Sequence, residues 1–270
     1  MRNQFLYPSL PLRPYIQYYH LCKLSAEEQI QQNIRDFPRT ALDIAFCFTG
    51  GVDISVNQQI FHINKASLIG QFDQPYIVQM QQGVELLHVR FKPAGFYPLT
   101  KVSLQVAINR EIELDELLGP QVDNWYEYLG QLNTMEERIQ RLEQLLIPLY
   151  QSATYHHRFE YGIQQINATR GQITVQQLSE QLHSNYKTLD RWFKKYVGFS
   201  PKRYIQLTRF KYLVEALEQN QTPDYSQLAY EFGFCDQAHF IKEFKQFAQV
   251  SPGDFWQNYQ QSDAAYSLNQ

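Results

Sequence analysis

One sequence pattern occurs twice in roughly the last hundred residues of the chain. The segment 193–201 reads Phe-Lys-Lys-Tyr-Val-Gly-Phe-Ser-Pro and returns as Phe-Lys-Gln-Phe-Ala-Gln-Val-Ser-Pro at 244–252, after a shift of 51 positions. Each copy ends a short helix-turn-helix pattern whose second helix is basic. A duplicated unit of this kind predicts two helices that enter neighbouring stretches of a DNA major groove.

Local signals set the bounds of these second helices. In the first unit Asn185 is placed to cap a helix over 186–197, because its side-chain oxygen can accept a hydrogen bond from an N–H of the first turn. In the second unit Asp236 is placed in the same way before a helix over 237–247. A linker helix that starts at Pro201, where a proline costs no hydrogen bond, joins the two units.

Charge is concentrated around the first unit. The whole chain of 270 residues has a formal net charge of −3, but the excess of carboxylates lies before Arg158. Between His183 and Lys211 the chain has eight Lys or Arg residues and one carboxylate, Asp190. Such a window is typical of a surface that faces phosphates, although solvated helix faces also carry Lys and Arg.

The apolar positions of each second helix define its buried side and leave the opposite face for DNA. The residues on or near that face are Lys187, Asp190, Arg191 and Lys194 in the first helix and Gln237, His239, Lys242 and Lys245 in the second. Arg and Lys match guanine O6 and N7, and Gln matches adenine N6 and N7. One such helix could be an ordinary solvated amphipathic helix, but two in register favour DNA binding.

The stretch from Ile173 to Phe255 resembles the DNA-binding domain of the AraC/XylS family of bacterial transcription regulators. The residues that carry the resemblance include Leu178, Leu189-x-Arg191-x-Phe193-Lys194-Lys195, Gly198-Phe199-Ser200-Pro201, Arg209, Gly233-Phe234, Phe244-Lys245 and Ser251-Pro252. The resemblance implies an all-α domain of two helix-turn-helix units joined by a linker helix. It also implies which residues contact bases: Lys187, Asp190 and Arg191 in the first unit, and Gln237, Ala238, His239 and Lys242 in the second. It also implies double-stranded promoter DNA and RNA polymerase as partners, with activation favoured over repression.

Asp190 departs from the family pattern, in which Gln or Arg is commoner at that position. Its carboxylate could accept a hydrogen bond from cytosine N4, or it could repel phosphate and weaken the first unit.

The front half has a different pattern. From about Asp43 to Phe91 short runs rich in β-branched and aromatic residues alternate with turn signals, which predicts a β-sandwich or small barrel of the cupin-like type. The segments 89–99 and 114–119 also resemble the front half of one subgroup of such regulators. The front domain is therefore a candidate sensor of a small-molecule effector or an oligomerisation domain, and a protein-binding adaptor remains the alternative.

Helical periodicity follows the strands. Leu142, Leu145, Leu146 and Leu149 form an apolar stripe that could pack on its own domain or pair with the same helix in a homodimer. The expected organisation is an α+β protein with a β-rich regulatory domain at 1–120, trailing helices at 121–157, the DNA-binding domain at 158–260 and a tail at 261–270.

The sequence gives less support to an enzyme or a metal-binding protein. His20, His62 and His88 could offer imidazoles to a metal in a cupin enzyme, but no H-x-H or H-x-x-x-H spacing occurs among them. The three cysteines lack a C-x-x-C spacing, which argues against structural zinc and is typical of a reducing cytoplasm. We therefore expect no enzymatic activity, no metal, no cofactor and no membrane segment.

Overall fold

The computed structural model describes residues 2–25, 34–151, 153, 156–219 and 222–261. Within these ranges the chain forms ten β-strands in its front half and eleven α-helices, seven of them after residue 156. The α+β class and the two-part architecture predicted from the sequence are confirmed. The predicted tail lies largely outside the described residues, and the predicted domain bounds stay predictions.

The front half is a sandwich of two antiparallel sheets. Its strands are β1 (Arg2–Leu6), β2 (Ile16–Lys23), β3 (Ile34–Asp36), β4 (Leu42–Thr49), β5 (Val52–Val56), β6 (Gln59–Ile63), β7 (Ala66–Ile69), β8 (Tyr76–Met80), β9 (Glu85–Phe91) and β10 (Glu111–Glu113). The larger sheet has the order β1-β2-β9-β4-β7-β10 and the smaller has the order β3-β8-β5-β6. The sequence pattern located the strands between Asp43 and Phe91 but not those on either side.

Strand β4 lies at the centre of the front domain and is covered on both faces. Phe46 points to the layer of helices, whereas Cys47 points to the space between the sheets. A strand that is buried on both faces needs a nearly continuous apolar run rather than an alternating one, and this explains the sequence from Leu42 to Phe48. The exception is Asp43, which is buried and paired with Arg90.

Four helices follow or flank the strands of the front domain: α1 (Tyr97–Thr100), α2 (Leu114–Leu118), α3 (Gln121–Gly130) and α4 (Met135–Tyr150). Thr134 and Glu137 form a capping box that begins α4. Leu142 and Leu146 are buried in the front-domain core, while Leu149 is partly exposed. The apolar stripe of α4 thus packs largely on its own domain.

The remaining helices form the C-terminal domain. They are α5 (His157–Ala168), α6 (Val175–Gln181), α7 (Tyr186–Val197), α8 (Pro201–Gln219), α9 (Tyr225–Glu231), α10 (Gln237–Ala248) and α11 (Pro252–Gln261). Helix α7 has the bounds that the sequence predicts, and α10 ends one residue later than expected. Helices α6–α7 and α9–α10 are the two helix-turn-helix units, and α8 joins them.

The two domains pack directly on each other. Phe37, between β3 and β4, is almost completely buried in the C-terminal core, where its ring lies 5.0 Å from that of Phe255. Arg203 of α8 donates a 2.9 Å hydrogen bond to the carboxylate of Asp73 in the front domain. No helix within the described ranges is long and apolar enough to cross a membrane.

Candidate nucleic-acid interface

Helix α7 is the second helix of the first unit. Asn185 caps it, since its Oδ1 accepts a 2.9 Å hydrogen bond from the N–H of Thr188. Leu189 and Phe193 are fully buried against the rest of the domain. This orientation leaves the side chains of Lys187 and Arg191 exposed on the outer face.

Asp190 and Lys194, also on the outer side of α7, are paired with each other. The carboxylate of Asp190 lies 2.8 Å from Lys194 Nζ, one helical turn away, and both side chains are only partly exposed. The hydrogen bond and the charge of Asp190 raise the pKa of Lys194. The Asp190 carboxylate is therefore occupied by a lysine in this structure, a pairing that the sequence reasoning did not include.

Helix α10 is the second helix of the second unit. Asp236 caps it through a 2.7 Å hydrogen bond from the N–H of His239 to Oδ1. Phe240 and Phe244 are fully buried. The outer face exposes the other four predicted DNA-binding residues, which are Gln237, Ala238, His239 and Lys242.

One of these side chains is positioned by the neighbouring helix. Ser226 of α9 donates a 3.1 Å hydrogen bond to Oε1 of Gln237. Because this bond holds the carbonyl end of the amide, it fixes the direction in which the Nε2 group points. Ser226 lies eleven residues away, and the helix pattern alone gave no signal for this contact.

The front domain reaches α7, which the sequence did not predict. Tyr97, Lys101, Ser103 and Gln105 of the front domain form one wall of an open groove of about 700 Å³. The other wall belongs to α7 and the residue before it: Asn185, Lys187, Thr188, Asp190, Arg191, Lys194 and Lys195. All four predicted DNA-binding residues of α7 therefore line one groove together with the front domain.

A second cavity, of about 460 Å³, lies between the domains. The front domain contributes Arg39, Arg90 and Lys92, while α5 and α8 contribute Asn167, Tyr204, Thr208 and Lys211. Asp43 pairs with Arg90 and with Arg39, and Glu215 lies 3.6 Å from Lys211. The cavity is lined by both domains and offers hydrogen-bond donors from each.

The three front-domain histidines do not converge. His20 and His88 face each other across β2 and β9 with ring centroids 5.7 Å apart, whereas His62 on the other sheet bonds Asp53 at 2.7 Å. Burial lowers the pKa of His20 to about 4 and that of His88 to about 3. Across the described ranges, no three His, Cys, Asp or Glu side chains are grouped so that they could hold a metal ion.

The fold and this surface together define a protein with two packed domains, of which the second is a double helix-turn-helix domain. Residues 178–258 match the family model described as "Helix-turn-helix domain", and residues 4–113 match the model described as "Domain of unknown function (DUF6597)". Residues 178–258 therefore form a helix-turn-helix domain of the AraC type, as their motifs predict.

Similar proteins are regulators. An "Uncharacterized HTH-type transcriptional regulator" of Haemophilus influenzae is 31% identical over 81 residues, which are 30% of this chain and 27% of the relative. The matched part thus spans about a quarter of that relative. ToxT from Vibrio cholerae is 12% identical, with a TM-score of 0.44 over 90% of this chain and 98% of ToxT. The AraC-like transcriptional activator CuxR is 16% identical, with a TM-score of 0.26 over 73% of each chain.

Proposed function

We propose that the protein is a sequence-specific transcription regulator that binds double-stranded promoter DNA through α7 and α10. The observation that carries this proposal is the matched pair of capped, basic helices, each with its aromatic side buried and its polar side exposed. Two helix-turn-helix units on one linker helix suit neighbouring major-groove segments about one helical turn, ~34 Å, apart.

The exposed side chains of the two helices suit different groups of the DNA. Arg191 of α7 and Lys242 of α10 occupy equivalent positions in the repeat and suit guanine O6 and N7, while Gln237 suits adenine. Lys187, near the start of α7, is a further candidate for base contact, and Lys194 adds positive charge that favours phosphates. Because α7 carries more cations than α10, the first unit contributes more of the salt-dependent affinity.

The front domain is the regulatory part in this proposal. A small-molecule effector in the cavity of about 460 Å³ would touch both domains at once. An effector can shift the domain arrangement only by binding one arrangement more tightly than another, and a cavity that both domains line meets this condition. The competing proposal is an adaptor, in which the front domain binds a partner protein instead of a metabolite.

The DNA-binding part of the proposal is tested by selecting duplexes from a random-sequence pool with the full-length protein. A preferred sequence with two segments one turn apart is expected. Arg191→Ala should then cost about 1–3 kcal/mol of binding free energy and relax the base preference in one segment only. Lys242→Ala, at the equivalent position of the second unit, should relax the other segment. Unchanged preference in both variants would remove these helices from base recognition.

The regulatory part is tested by a thermal-shift screen of the full chain against a broad panel of metabolites. Stabilisation by one compound, abolished by Thr208→Val in the cavity wall, supports a small-molecule sensor. No stabilisation, together with a partner protein that copurifies with the chain, supports the adaptor.

An activator must also raise transcription by RNA polymerase. In a reconstituted reaction, transcription from a promoter that carries the selected duplex is expected to rise in the presence of the protein.

Sedimentation of the free protein and of its DNA complex measures whether it acts as a homodimer. A cytoplasmic location, where the promoter lies, belongs to the same proposal.

A further inference from the structure

We propose that the front domain itself contacts DNA: the segment 101–105, docked beside α7, binds the phosphate backbone next to the groove that α7 enters. The inference rests on the proposed function and adds a DNA contact from outside the helix-turn-helix domain. Lys101 is the residue that carries it, and Gln105 is a neutral hydrogen-bond donor beside it.

The segment is fastened to α7 by backbone contacts. Ser103 Oγ donates a 2.9 Å hydrogen bond to the carbonyl oxygen of Lys194. At the end of α7, a Cβ atom on Gly198 would lie 2.7 Å from the carbonyl oxygen of Leu104. Such an approach is closer than real Cβ contacts allow, so the segment lies directly against the helix end. Wherever α7 lies on DNA in this domain arrangement, the segment lies beside it.

Cations from both domains meet at the aromatic ring of Tyr97. Lys195 Nζ of α7 lies 4.4 Å from the ring centroid and Lys101 Nζ of the front domain lies 5.9 Å from it. Lys101 is exposed and ends helix α1 in the left-handed conformation. Five cationic side chains line the groove, and the carboxylate among its lining residues, Asp190, is already paired with Lys194. The groove is thus strongly positive.

The positive charge of the segment indicates that it binds DNA rather than blocks α7. A segment that blocks a basic recognition helix gains most if it carries carboxylates, because these would neutralise the helix and repel phosphates. The front domain has an excess of acidic residues as a whole, yet the four residues that it places in the groove include a lysine and no carboxylate. The local charge therefore favours a polyanion in the groove.

The groove also opens on the face that is proposed to meet DNA. Lys187 and Arg191, the exposed residues of the first half of α7, form part of its wall. In helix-turn-helix complexes the N-terminal residues of the recognition helix contact bases. The second half of α7, with Lys194 and the docked segment, then lies towards the rim of the major groove, where the phosphates run. A ligand that filled this groove would compete with DNA rather than act beside it.

The test measures the affinity of the full-length protein for its selected duplex and for an unrelated duplex of the same length, as a function of salt. Lys101→Ala should weaken both complexes by a similar factor, about fivefold near 0.15 M salt, and should lower the magnitude of the salt slope by about 0.9. Lys101→Arg should restore both values. Lys65→Ala is the matched control, since it removes an exposed front-domain lysine that does not line the groove.

Each other outcome overturns the inference. Unchanged affinity and slope in Lys101→Ala would show that the segment makes no DNA contact, and tighter binding would show that it covers α7. An equal loss in Lys65→Ala would assign the effect to overall charge. Equal melting temperatures of the variants exclude misfolding as the cause. If Arg191→Ala relaxes base preference while Lys101→Ala changes nothing, the proposed function stands and this inference falls; if the wild-type protein binds no duplex, both fall.

Discussion

Arg209 of the linker helix α8 and Glu243 of the second recognition helix α10 form a largely buried ion pair. Arg209 Nε donates a 3.0 Å hydrogen bond to Glu243 Oε1, and Gln206 Nε2 donates one of 3.2 Å to Oε2. The guanidinium of Arg209 also lies 4.4 Å from the ring centroid of Phe234, in the turn before α10. One arginine of the linker thus contacts both the turn and the recognition helix of the second unit.

The first prediction concerns this pair. Glu243→Ala should lower the free energy of unfolding by about 1–3 kcal/mol, because the charged donors of Arg209 lose their acceptor. It should also weaken base preference in the DNA segment read by α10 and leave the segment read by α7 unchanged. Denaturant unfolding and duplex selection measure the two effects.

The matched control for Glu243→Ala is Glu215→Ala, in the linker helix α8. The carboxylate of Glu215 faces Lys211 at 3.6 Å, one turn away and near solvent, and such surface pairs contribute about 0–1 kcal/mol. Glu215→Ala should therefore leave both base preferences intact. Relaxed preference in both DNA segments of Glu243→Ala would contradict a local positioning role and indicate general loss of structure.

The second prediction concerns the Asp190–Lys194 pair of α7. Asp190→Asn should release Lys194 from its 2.8 Å partner and remove a charge that repels phosphates. We expect tighter binding to all duplexes and a steeper salt dependence, while Lys194→Ala should lower the slope by about one. Fluorescence titration at several salt concentrations measures both. If Asp190→Asn instead alters the preference at one base pair, its carboxylate reads a base directly.

The third prediction concerns Phe37, which joins the two domains. Truncation of a buried Phe typically costs about 3–5 kcal/mol, and the cavity left by Phe37→Ala would open beside Phe255 and Phe210 of the C-terminal core. The C-terminal domain should therefore melt at a lower temperature in this variant. The fluorescence of Trp192 measures this melting. Phe61→Ala, inside the front sandwich, should lower the melting temperature of the front domain first. The same order of melting in both variants would contradict the assignment of Phe37 to the C-terminal core.

Features set by neighbouring residues could be predicted from the sequence. Asn185 and Asp236 form their caps with N–H groups only three residues away, so a local pattern carries the whole signal. The bounds of α7 and α10 follow from these caps and from the aromatic spacing. The exposed faces of both helices follow in turn, since they lie opposite the buried rings of Phe193 and Phe244.

Features that depend on domain packing could not be predicted. Ser103 and Lys194 are 91 positions apart in the chain, and Arg203 and Asp73 are 130 apart. No local periodicity links such residues, because the contact depends on how two finished domains fit together. The same holds for Phe37, whose neighbours in sequence belong to the front sandwich while its contacts belong to the helical core.

The last prediction concerns the paired histidines of β2 and β9. Burial lowers the pKa of His20 to about 4 and of His88 to about 3, whereas the unfolded value is about 6.5. Between these values the unfolded chain binds more protons than the folded chain, so the free energy of unfolding should be level above about pH 7 and fall as the pH drops from about 6.5 towards 4. Burial would raise the pKa of Asp43, but Arg90 and Arg39 hold it below its usual range, so loss of that pair acts only at lower pH. Denaturant unfolding from pH 4 to 8 should show a shallower dependence of the free energy of unfolding on pH for His88→Gln than for the wild-type protein. A wild-type free energy of unfolding that is flat from pH 7 to 4.5 would rule out a lowered pKa for both histidines.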